Sequence, residues 1–141
     1  MKFGERSLKL LNTCHPKLVE LGLKAIETSP FDFACTDGLR DAETQNQKFL
    51  EGLTKVQFSK HQQTPSEAVH FEPYPIMYPQ PTDAQMTVVK KYARYYMLAL
   101  HVMQTAKDLG ITIRWGGDWD GDGDIMDQTF DDLAHFELKN P

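Results

Sequence analysis

At 141 residues, 40% hydrophobic and 25% charged, the chain has the size and composition of one globular domain that buries its own core. Its 15 Lys and Arg are scattered among 20 Asp and Glu, and a net charge of −5 argues against a phosphate-tracking nucleic-acid binder. No stretch approaches the roughly 18 apolar residues of a membrane span, the polar opening MKFGERSLKLLNTCHP is no secretory signal, and Cys14 and Cys35 are too few for a disulfide framework.

Without repeats or a linker, residues 1–141 read as a single domain. Residues 7–28 carry leucines, valine and isoleucine at helical spacing, with Pro16 suited to a first turn and Ser29-Pro30 ending the segment. A strand over 31–36 and an Asp37-Gly38 turn follow, then a polar helix over 41–52 that Gly52 closes. Residues 67–74 alternate as a strand, with Ala68 on one face and Val69 and Phe71 on the other, and 73–81 is a Pro-rich connection. Thr82 or Asp83 caps the longest helix, 85–109, which Gly110 stops. Its stripe of Val88, Val89, Tyr92, Tyr95, Tyr96, Ala99, Val102, Met103 and Ala106 is a core face. A strand over 111–115, a Gly/Asp loop over 116–128 and a last strand over 134–138 complete an α+β fold: a small, mostly antiparallel sheet with helices on one side.

Three of the five histidines stand in a setting that suits a metal. His61 lies in the loop entering the strand that carries His70, and His135 lies on the final strand. Zinc takes neutral imidazoles in tetrahedral geometry and keeps one position open when the site is catalytic. His15 and His101, on helices without such partners, read as structural. Asp132, three residues before His135, is placed to act as general base toward an attacking water, with Asp131 directed the other way. Glu137 shares the face of His135 by alternation, and Glu72 that of His70, each able to orient a ligand from behind.

The string SKHQQTPSEAVHFEPYP (59–75) resembles the SxHxxGxAxD-type metal motif of the LAS peptidases, and DDLAHFEL (131–138) their carboxylate-before-histidine motif. GLRDAETQNQ (38–47) is similar to the upstream G-x-R-x-x-x-x-Q segment, and IRWGGDW (113–119) to the stretch before the last motif. The kin are phage VanY-like peptidases of the M15 type, several of them L-alanyl-D-glutamate endopeptidases. The resemblance implies the Hedgehog/D-Ala-D-Ala-peptidase type of α+β fold. It implies His61, residue 70 and His135 as zinc ligands and Asp132 as base. Arg40 would hold a substrate carboxylate or the oxyanion, and Ser59 and Gln45 would bind substrate backbone. By composition alone Arg40 equally fits a surface ion pair, and Ser59 a turn. The family's middle ligand is an aspartate where this chain has His70, so the site is one unit more positive, and a swing of Glu72 or Glu67 into its place is the other option.

DWDGDGDIMDQT (118–129) resembles an EF-hand loop, with Asp118, Asp120, Asp122 and Asp124 at positions 1, 3, 5 and 7 and Gly123 at the turn. Thr129 stands where the bidentate glutamate belongs. Calcium binding and a solvated acidic loop are the two readings.

The resemblance implies a zinc endopeptidase of the L-Ala–D-Glu bond in peptidoglycan stem peptides, working as a phage endolysin. A monomer is expected, with no nucleic-acid or membrane partner, held in the host cytoplasm until a holin releases it to the cell wall. A D,D- or L,D-carboxypeptidase on the same scaffold, and a non-catalytic peptidoglycan binder in which His70 has spoiled the chemistry, are the alternatives.

Overall fold

The computed structural model describes residues 1–53 and 59–141. Where one helix is expected over 7–28 there are two, α1 (Glu5–Leu11) and α2 (Pro16–Thr28). Pro16 cannot extend a helix from before it, and His15 caps α2 by accepting from the Lys17 N–H at 3.1 Å. The corner between them is fixed by Thr13, whose hydroxyl donates to the Leu10 carbonyl at 2.6 Å and accepts from the Leu39 N–H at 2.9 Å.

The remaining elements are β1 (Phe33–Asp37), α3 (Ala42–Leu50), β2 (Ala68–Pro73), α4 (Gln85–Leu109), β3 (Ile113–Gly116) and β4 (Asp132–Leu138). The sheet has the order β1-β2-β4-β3, with every neighbouring pair antiparallel. The α+β class and the helix-backed sheet are as expected. The last strand starts two residues early, at Asp132 rather than 134, so the candidate base is part of the sheet.

Helix α4 begins where expected, but neither Thr82 nor Asp83 caps it. Ala84 occupies that position without a side-chain bond, because the Asp83 carboxylate is held by Lys91 at 2.7 Å and by the Gln80 N–H at 2.8 Å. Within α4, burial starts at Tyr95 and continues through Leu98, Ala99, Val102, Thr105 and Ala106, whereas Val89 and Tyr92 are exposed. His101 donates its Nε2 proton to the Ala25 carbonyl at 2.9 Å, fastening α4 to α2.

Alternation then sorts the two sheet faces. Val69, Phe71, Phe136, Leu138 and Trp115 join Leu18 and Leu21 of α2 and Leu98 and Val102 of α4 in one core. Fully burying each such side chain is worth about 1.5–3 kcal/mol. The opposite face carries His70, His135 and Glu137. Both cysteines are buried and unpaired, as expected of small hydrophobes. No helix among the described residues is long and apolar enough to cross a membrane.

Candidate active site

His70 and His135 are register partners on β2 and β4, so antiparallel pairing sets the two rings side by side on one face. His61 joins them from a turn of 3-10 helix, Lys60–Gln62. The Ser59 hydroxyl accepts from the His61 N–H at 3.2 Å, and the Gln62 side chain accepts from the Ser59 N–H at 2.8 Å, a capping box that fixes the ring's entry angle. Each of the three histidines offers a nitrogen within 4.8 Å of the others.

Partners settle which nitrogens stay free. His61 Nδ1 donates to the Gly38 carbonyl at 2.7 Å, so Nε2 keeps a lone pair, and it is buried with no partner among the described residues. His135 Nε2 donates to Glu137 Oε1 at 2.9 Å, which leaves Nδ1 facing His70 Nε2 at 3.3 Å. Burial, reinforced by His135 and Arg40, pushes the His61 pKa down to about 3. Burial, then His61 and His135, likewise holds His70 well below its usual range. The three rings bring ring nitrogens together as a donor set that a cation satisfies, and the 3.3 Å between His135 Nδ1 and His70 Nε2 is about the edge of a tetrahedron with bonds near 2.0 Å.

The Asp132 carboxylate lies 3.8 Å from His70 Nε2 and 3.9 Å from His135 Nδ1, and burial raises its pKa against the pull of His135 and Arg40. Asp131 is on the other side, in a groove with Tyr92, Tyr96 and Leu133. Gly116 faces Asp132 across a bulge, and a Cβ there would come within 2.1 Å of the Asp132 carbonyl oxygen.

Arg40 is buried. Its backbone N–H donates to the His61 carbonyl at 2.7 Å, one guanidinium nitrogen donates to Gln45 Oε1 at 2.6 Å, and another pairs with Asp37. Its Nε is buried without a partner among the described residues. Gln45, expected to touch substrate, is instead fully buried behind Arg40 and absent from the cavity wall, because its side chain is taken up in fixing the guanidinium. Glu72 stands outside the trio of converging histidines, and its Oε1 accepts from the hydroxyls of Tyr78 at 2.9 Å and Tyr95 at 2.8 Å.

Two cavities meet at this site. One of about 520 Å³ is lined by Arg40, Ser59, His61, Trp119 and His135 among others; one of about 820 Å³ is lined by Lys48, His70, Glu72, Tyr74 and Tyr78. Asp132 belongs to both walls. The acidic loop forms a side of the smaller cavity through Trp119, Asp120 and Asp127 to Phe130. Asp118, Asp120 and Asp122 converge to within 4.8 Å, but Asp124 turns away to cap a short helical turn by accepting from the Met126 N–H at 2.9 Å.

A sequence profile of the phage L-alanyl-D-glutamate peptidases matches residues 1–139. The chain belongs to that family. It is similar to the L-alanyl-D-glutamate peptidase of Escherichia phage T5, with 32% identity over 142 residues and 97% of each chain covered. The L-Ala D-Glu endopeptidase ChiX of Serratia marcescens has a similar crystal structure, with a TM-score of 0.72 and 25% identity over 99% of this chain and 90% of that one. Within this phage peptidase, four residues around the site escaped the sequence reading: Asp37, Lys60, Arg114 and Trp119. Asp37 read only as a turn former. The signal for Arg114 was present, since its neighbours Ile113 and Trp115 alternate into the core and leave it on the histidine face.

Proposed function

We propose that this member of the family is a zinc endopeptidase that cuts the L-alanyl–D-glutamate bond of peptidoglycan stem peptides, serving a phage as its lysin. The observation that carries the proposal is a converging trio of imidazoles, two buried and one half-buried, with Asp132 beside it, between two cavities that leave room for substrate on both sides. A carboxypeptidase needs room on one side only.

His61, His70 and His135 would hold the zinc ion, which when bound supplies Lewis acidity toward the scissile carbonyl and toward water. Asp132 accepts the proton of the attacking water and passes it to the departing amine of the D-glutamate. Burial, which raises its pKa, strengthens it as the acceptor in the first transfer. Arg40, held rigid by Asp37 and Gln45, directs its unpartnered Nε–H toward charge developing on the carbonyl oxygen. Ser59 shapes the turn and lines the cavity where substrate backbone runs. Glu137 holds His135 in the tautomer that leaves Nδ1 free.

In this reading the protein is a monomer that gathers in the host cytoplasm and reaches the wall once a holin opens the membrane. We include calcium as a second ion at Asp118, Asp120 and Asp122, where it would order the loop that walls the smaller cavity; calorimetry with calcium showing no heat and no thermal shift removes it.

Mass spectrometry of digested peptidoglycan tests the whole proposal, run with zinc, with chelator and with Asp132→Asn. New amino ends on glutamate, lost with chelator and in the variant, are expected. Free D-alanine instead points to a carboxypeptidase, and wall binding without any new amino ends to a non-catalytic binder. His70→Asp in the same assay measures what the third imidazole does to the rate.

A further inference from the structure

Among the described residues, three cations share the wall of the smaller cavity: Arg40, Lys60 and Arg114. Two of them carry a buried donor with no acceptor among the described residues, the Nε of Arg40 and the Nε of Arg114. Buried N–H groups left unpaired are costly, so a pair of them around one cavity marks where a ligand's acceptors complete the wall. Arg40 is already matched in charge by Asp37. Arg114 is not matched alone: Glu137 accepts from Arg114 at 2.9 Å and His135 at 2.9 Å, and lies 3.7 Å from Lys60, so two permanent cations face one carboxylate. The cavity's further acids apart from Asp132, Asp120 and Asp127, lie on the exposed loop. The Arg114 guanidinium sits over the Trp119 ring, 5.2 Å from its centre, and that ring packs on His135 at 5.3 Å.

We propose that Arg114, steadied by Trp119, anchors the free carboxylate of the D-glutamate residue in the substrate. This rests on the peptidase reading above. Whichever of its two carboxyls continues the chain, a glutamate keeps the other ionised close to the scissile amide, and a guanidinium fork matches a carboxylate better than an ammonium does. The anchor also orients the substrate. The glutamate side of the bond occupies the cavity lined by His61 and His135, and the alanine side the cavity lined by His70, with Asp132 between them at the amine that leaves.

The test pairs two synthetic stem peptides, one with D-glutamate and one in which its free carboxylate is an amide. The unaltered zinc-loaded enzyme should prefer the acid by about ten- to hundredfold, carried by KM, the range of a charge-assisted bond. Arg114→Gln should cut both at similar efficiency, and Arg114→Lys should keep part of the preference, with thermal melts confirming that each variant folds. Independently of activity, the D-glutamyl product should quench tryptophan fluorescence in the unaltered metal-free protein and not in Arg114→Gln. Equal cleavage of both peptides by the unaltered enzyme, or an undiminished preference in Arg114→Gln, overturns the anchor alone. No cleavage of either peptide, with product quenching still dependent on Arg114, overturns the peptidase reading and leaves the anchor standing.

Discussion

Glu137 controls how His135 presents itself, because its carboxylate accepts the Nε2–H hydrogen bond and leaves Nδ1 toward His61 and His70. Glu137→Ala releases the tautomer and should weaken zinc binding about 10- to 100-fold, read by competition with a chromogenic chelator. His61 makes a second prediction, on stability. Its pKa falls from an ordinary 6.5 to about 3 on folding. Below 6.5 the unfolded chain binds a proton that the folded chain refuses, so stability must drop as pH falls toward about 3 and stay level above the ordinary value. Melting temperatures of the metal-free protein across that range should show the slope, and His61→Asn should make it shallower, with the share of His70 remaining. The histidines themselves were legible in the sequence from their setting. The free nitrogens were not, because the Gly38 carbonyl that fixes His61 lies 23 residues away along the chain.

Elements were legible where local chemistry decides them and obscure where distant partners compete. Gly110, in the left-handed region at a φ of 71°, ends α4 as its sequence position suggests. The cap at the other end was misjudged because Lys91 draws the Asp83 carboxylate away. Helical spacing marked Val89 and Tyr92 as core, but spacing cannot say where along a helix the sheet begins to cover it, and here cover begins at Tyr95. The bulge between β3 and β4 was equally hidden, since Gly116 reads as loop until its closeness to Asp132 is seen. Gly116→Ala would force its Cβ against the Asp132 backbone, 2.1 Å away as the strands now stand. With Asp132 as the proposed base, displacing it by an ångström should lower kcat about a hundredfold, with bound metal unchanged by elemental analysis.

The whole molecule is held by one core in which Phe71 is fully buried, touching Phe3, Phe33 and Phe136. Phe71→Ala should cost about 3–5 kcal/mol in chemical denaturation. Ligand linkage should add to that stability. Zinc at about 100 times its dissociation constant is worth about 2.7 kcal/mol, so chelation should lower the melting temperature, and His135→Ala should melt alike with and without metal. The strands bearing His70, His135 and Asp132 are the two inner ones, shielded by β1 and β3 at the margins. Their amides therefore exchange with deuterium only when the sheet as a whole opens, later than those of the acidic loop. Heat should accordingly take catalytic capacity and fold together: residual lytic activity measured at each temperature should trace the same curve as the fraction still folded.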